Sequence, residues 1–133
     1  MPFTVKYLPL ENIVHAQCTG AMDLPSFKAL TAEVVRQGKQ ADCHYVLTDF
    51  SSAEIQVSIA DLYLLPSLIA QKTKEEGGNI HSIKRAIVVS KTQIREWQFY
   101  EDTSQNRAQQ TKVFLDFESA KQWLQEKQTM GNK

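Results

Sequence analysis

Ser58 and Asp61 stand three residues apart at the start of "SIADLYLLPSLI", residues 58–69. A hydroxyl in front of a helix and a carboxylate at its third position form a capping-box-like start. A phosphate on the same serine would also suit the positive end of the helix dipole. Asp61 would lie within a turn of that phosphate and repel it. Cap preferences therefore favour Ser58 as a helix cap, with a phosphoacceptor as the alternative. A second polar set stands where strands are expected to end. It comprises Asp49, Ser51 and Ser52, then Ser90, Lys91 and Thr92, then Asp116. Ligands of open α/β sheets bind beyond the carboxyl ends of parallel strands, so Asp49, Ser51, Ser52, Ser90 and Thr92 could frame a polar cleft. Turn and cap roles are the competing explanation, because these are the preferred turn residue types.

No catalytic or metal-binding set emerges. His15 and Cys18 are three apart on an expected strand, so they point to opposite faces. Cys43 and His44 are adjacent and diverge too, and His81 falls in a charged loop. No Ser-His-acid or Cys-His motif and no glycine-rich phosphate loop occurs. The expectation is no cofactor, no metal and no enzyme.

Two apolar groups could make contacts. Leu62, Leu65 and Ile69 form one stripe of the second helix, and Leu64 and Leu68 another. A helix buried against the sheet explains this, and a groove for an apolar or lipid-like ligand is the alternative. Pro66 removes a hydrogen bond to the carbonyl of Leu62 and should bend that helix. Trp97, Phe99 and Tyr100 crowd about one helical turn. Successive helical residues lie about 100° apart, so all three cannot turn inward. At least one should reach the surface as a contact, with a homodimer interface as the reading and a rim position for Tyr100 as its rival.

The elements that carry these residues alternate. "FTVKYL" (3–8) and "NIVHAQCTG" (12–20) alternate in polarity and are closely linked, which predicts an antiparallel hairpin. Asp23 and Pro25 open a helix that should stop at Gly38. "CHYVLTDF" (43–50) and "IKRAIVVS" (83–90) read as central strands. Helices follow from 58 to about 73 and within 92–110, separated by a mobile loop around Gly77 and Gly78. "TKVFLD" (111–116) is a last strand, and Asp116 caps a final helix before the polar tail 128–133. The fold class is α/β in the order β-β-α-β-α-β-α-β-α, with a mixed, mostly parallel sheet flanked by helices.

At 133 residues the chain should form one domain, with an ordered core over about 3–127. Lys plus Arg and Asp plus Glu both number 15, so the net charge is zero. Such a chain has no general field to draw it to nucleic acid or an anionic membrane, and neutrality favours association. No apolar run is long enough to cross a membrane, and the start lacks a signal-peptide pattern. Two cysteines in apolar strands fit a cytoplasmic protein.

The strand ending "VLTDFSSAEI", the strand "KRAIVVS", the aromatic helix "REWQFYED" and the ending "TKVFLDFESAKQWL" together resemble the SpoIIAA-like fold. That group includes the STAS domains of anti-anti-sigma factors and sulfate transporters, and many stand-alone bacterial proteins. Val113-Phe114 and Ala120 with Trp123-Leu124 fit the ending of the stand-alone branch. The resemblance implies a bacterial binding or regulatory module acting through a protein partner or a second copy. An apolar small molecule is the alternative ligand. It also places Ser58 at the phosphoacceptor position of anti-anti-sigma factors. Val57 departs from the acid before that acceptor, and Ile59-Ala60 depart from the small residue and glycine after it.

Overall fold

The computed structural model describes the backbone of residues 2–131 and the side chains of residues 2–126. Nine elements follow in order: β1 (Phe3–Leu8), β2 (Ile13–Met22), α1 (Leu24–Ala41), β3 (Tyr45–Ile55), α2 (Ile59–Glu75), β4 (Lys84–Val88), α3 (Ile94–Asn106), β5 (Gln110–Phe114) and α4 (Phe117–Gly131). A 3-10 turn, Ile80–Ser82, leads into β4. The strands form one sheet in sequence order, β1-β2-β3-β4-β5. β1 and β2 are antiparallel, with Leu8 opposite Ile13, and every later pairing is parallel. This is the mixed sheet expected of a hairpin followed by helical crossovers.

Local chemistry sets most boundaries. Asp23 accepts from the Ser26 N–H at 3.0 Å and so caps α1. Asp116 does the same for α4 through the Ser119 N–H at 2.8 Å. Gly38 does not end α1. The helix runs to Ala41, and Asp42 makes the stop with a left-handed φ of 52°. Gly38 serves a close approach instead, since a Cβ there would sit 3.0 Å from the Cys43 carbonyl oxygen. α2 continues through Pro66, whose carbonyl accepts from Gln109 Nε2 at 3.0 Å. α4 carries the helical backbone through residues 128–131 of the expected tail; residues 132 and 133 lie outside the described residues.

The period-2 alternation of the strands divides the core between the two sheet faces. On one face α1, α2 and α3 pack Phe27, Leu30, Leu62, Leu65, Trp97 and Tyr100 against Ala16, Phe50 and Ile87. On the other, Ala120 and Leu124 of α4 cover Ile13, Leu47, Ala86 and Val88. An aromatic stack sits in the centre of the first layer. Trp97 and Phe50 are nearly parallel at 4.8 Å between ring centroids, and Tyr100 meets Trp97 edge-on at 5.1 Å.

Candidate functional site

The expected end of β3 at residue 50 is not where the strand stops. It runs on to Ile55, beyond the end of β4, because β2 is long enough to pair with it: Thr19 lies opposite Ser52 and Met22 opposite Ile55. The register slips between Gln17 and Thr19, and the slip turns both Ser51 and Ser52 to solvent. Asp49, Ser51 and Ser52 are therefore strand residues rather than a loop at the sheet's carboxyl edge. Asp49 Oδ1 accepts from the Ser51 N–H at 2.8 Å and the Ser51 hydroxyl at 2.6 Å, which occupies the carboxylate locally. Ser90 and Thr92 do lie in the turn after β4, with their hydroxyls 2.9 Å apart.

A cleft opens where β3 overhangs the sheet. It encloses about 460 Å³ between the end of β3 and the starts of α2 and α3. Thr92 lines it together with Glu54, Ile55, Ile59, Gln93 and Glu96. Of the five residues expected to frame a polar cleft, it contains Thr92 alone. Gln93 fixes its shape: Oε1 accepts from the Ser90 N–H at 3.0 Å, and Nε2 donates to the Ala53 carbonyl at 2.8 Å. Two glutamates against aliphatic walls make this cleft acidic and half apolar. No sequence signal points to Gln93 or Glu96. The spacing of Ala53, Ile55 and Val57 does hint that β3 continues.

Ser58 sits at the rim as the N-cap of α2, its Oγ accepting from the Asp61 N–H at 3.1 Å. Ser58→Ala should lower stability by about 1 kcal/mol, read as a shift of the urea midpoint. An unchanged midpoint would mean that the hydroxyl is idle as a cap.

The two apolar sets separate. Leu62 and Leu65 are 3% and 1% exposed and belong to the core, with Leu62 forming part of the inner wall of the cleft; Ile69 packs half-buried against them. Trp97 and Tyr100 are likewise interior, at 1% and 0% exposure, and neither can meet a partner. Tyr100 is not a rim residue with a satisfied hydroxyl: its OH is buried without a partner among the described residues. Phe99 is the aromatic that reaches solvent, at 40%. Its ring lies 5.8 Å from that of Tyr63, and Tyr63 is one helical turn beyond Ile59. These two are 50% and 72% exposed, so a continuous apolar strip runs from the cleft along α2 to α3.

The titratable groups of β2 divide between the faces. His15 lies edge-on to Phe117 at 5.2 Å on the α4 side. Burial holds its pKa below the usual value, with Lys6 adding to that and Asp49 opposing it. Cys18 is fully buried on the other side, and burial, with some help from Asp49, pushes its thiol up to about 12. The unfolded thiol ionises near 9.0. Between those values the folded chain keeps a proton that the unfolded chain loses, so this contribution is complete below pH 9 and declines above it. The slope is about 1.4 kcal/mol per pH unit. Urea melts at pH 8 to 10.5 should show the decline, and Cys18→Ala should remove most of it, Cys43, whose thiol burial also raises, supplying the rest. An equal decline in Cys18→Ala would assign it to other groups.

Among the described residues no helix is long and apolar enough to cross a membrane, and no three His, Cys, Asp or Glu side chains cluster to hold a metal.

No protein-family model matches the sequence, and no curated protein sequence matches it. Solved structures do match. One is the anti-sigma factor antagonist SpoIIAA in its unphosphorylated form, with a TM-score of 0.52, 12% identity, and 88% of this chain and 91% of that one covered. Another is an uncharacterised protein of the DUF3478 family from Shewanella loihica PV-4, described as having a SpoIIAA-like fold. It has a TM-score of 0.55 and 15% identity over 92% of this chain and 93% of the other. At such identities the likeness speaks for architecture, and it agrees with the order of elements and the mixed five-stranded sheet. The chain has the SpoIIAA-like, STAS-like fold.

Proposed function

We propose that this protein is a cytoplasmic, non-enzymatic binding module that acts through protein–protein contact, in the first place with a second copy of itself. The observation that carries this reading is the exposed strip of Ile59, Tyr63 and Phe99 beside the acidic cleft. Single exposed apolar residues are ordinary, but a contiguous set that includes two aromatics is what contact surfaces share. Arg95 and Glu96 stand exposed next to it on α3, so the strip has both charge signs at its edge. A two-fold contact needs that self-complementarity. Zero net charge also leaves no long-range repulsion between copies. The fold adds support, since one solved protein that shares it is an antagonist of an anti-sigma factor. Ser58 as a phosphorylation switch finds less support, because its hydroxyl already caps α2 and its flanks lack the acceptor pattern.

The test is sedimentation of the wild type and of a Tyr63→Lys, Phe99→Lys double variant. We expect a concentration-dependent dimer for the wild type and a monomer for the variant. Their unfolding midpoints should agree within about 0.5 kcal/mol, because both side chains are on the surface. A monomeric wild type at every concentration would rule out the second copy and leave the strip to a different protein. The alternative of a lipid-like cargo is weakened by Leu65, which is in the core, and by Glu54 and Glu96, which place two carboxylates in the cleft that Leu62 lines. The cavity that Ile69 lines, about 50 Å³, is too small for an acyl chain of membrane-lipid length.

A further inference from the structure

That cavity lies inside the layer between the sheet and helices α1, α2 and α3. Its walls are mostly aliphatic and aromatic, with Phe27, Leu30, Ile69 and Ile80 among them, and Arg85 and Tyr100 also line it. Two features of these polar residues have no internal explanation. The Tyr100 hydroxyl and the Arg85 Nε–H are both buried without a hydrogen-bond partner among the described residues, although Tyr100 is fully buried. Arg85 also has no acidic partner. Its Nη2 donates to Gln109 Oε1 and Thr111 Oγ1, both at 3.0 Å and both neutral, and no carboxylate among the described residues is within ion-pair distance. Arg85 as a whole is half-buried, and its guanidinium lies 5.8 Å from the centre of the Tyr100 ring, a contact that stabilises the charge without neutralising it.

Buried polar groups in native proteins are satisfied by protein, water or a bound ligand, and a half-buried guanidinium with no carboxylate partner favours an anion beside its buried Nε–H. We propose that this cavity is a binding site for a small monocarboxylate, with Arg85 and Tyr100 as its recognition pair. One carboxylate oxygen accepts from Arg85 Nε–H and the other from the Tyr100 hydroxyl, so one ligand satisfies both orphaned donors. Size limits the class. A water needs about 10–15 Å³ of such volume, so 50 Å³ admits about three to five non-hydrogen atoms, the range of acetate to propionate. Charge limits it again, because one guanidinium matches a monoanion and leaves a doubly charged phosphate uncompensated. The apolar walls suit a short alkyl tail. The Thr31 and Thr73 hydroxyls donate to the Phe27 and Ile69 carbonyls at 2.9 and 2.7 Å, so neither directs its proton into the cavity.

A trapped water could satisfy the same donors, and the experiment must separate the two. Thermal unfolding and calorimetric titration would use propionate, acetate, propionamide and chloride at constant pH and ionic strength. The expected result is a saturable rise in Tm with a single site for propionate and acetate, and none for propionamide or chloride. Tyr100→Phe removes an unsatisfied hydroxyl, so it should fold at least as well as the wild type. It should bind propionate about tenfold more weakly, as for one lost hydrogen bond to a charged group. Arg85→Gln should abolish binding. Should Arg85→Gln fail to fold, Tyr100→Phe decides alone. An equal response to propionamide would mean that the walls merely fill. No saturable response would overturn the site and leave water as its occupant, and full affinity in Tyr100→Phe would overturn the recognition pair. None of these outcomes depends on self-association.

Discussion

Trp97→Ala is expected to destabilise the fold by about 3–5 kcal/mol, the usual cost of emptying a buried indole site. Trp97 is 1% exposed and stacks on Phe50 at 4.8 Å, with Tyr100 at 5.1 Å and Phe27 at 6.3 Å. Its removal therefore takes one face from each of three other rings. It also opens the core toward the cleft, whose inner wall includes Trp97. Domains of this size have about 5–15 kcal/mol of stability in all, so the variant should be near its limit at 37 °C. Urea unfolding followed by circular dichroism gives the number directly. Trp97→Phe keeps an aromatic in the stack and should recover much of the loss. A loss below about 1 kcal/mol for Trp97→Ala would mean that the ring is peripheral and that its place on a contact surface must be reconsidered.

The same helix shows what the sequence makes legible and where it misleads. Trp97 and Tyr100 are three apart and share a helical face, whereas Phe99 is about 100° from Tyr100. That geometry is enough to separate one outward aromatic from two inward ones, yet the crowding of three rings resembles a contact surface when taken as a block. The caps at Asp23, Ser58 and Asp116 are legible because each rests on one side chain and a backbone N–H three residues on. The β1-β2 hairpin is legible from alternation and a short link. The overhang of β3 is only hinted at, by the spacing of Ala53 and Ile55, because its extent depends on the length of a different strand and on a register slip between them. The cleft inherits that obscurity: its glutamates and Gln93 come from segments that meet in space only once the overhang is formed. Gly38 misleads for a related reason, since its small size answers a carbonyl five residues later rather than a helix end.

The leucines of α2 give the sharpest contrast between a core and a ligand groove. Leu65→Ala is expected to cost about 2–5 kcal/mol, because the side chain is 1% exposed among Phe27, Leu30 and Trp97 of the same cluster. Leu64→Ala, one residue earlier and 49% exposed, should stay within about 0.5 kcal/mol of the wild type. A groove kept open for cargo predicts the reverse emphasis. Its walls are already solvated or ligand-filled, so truncating Leu65 would leave the apo protein's midpoint nearly unchanged and act on ligand uptake. Paired urea melts of the two variants decide between these descriptions without any ligand in hand. A large loss at Leu65 and none at Leu64 places the inward stripe of α2 in the structural core. Equal, small losses would return Leu62, Leu65 and Ile69 to the role of a groove. The size of the Leu65 loss also reports on the neighbouring layer. If α1 and α3 close over the vacated volume, the cost falls toward the lower end of the range. If the aromatic stack holds them apart, the cavity persists and the cost stays high.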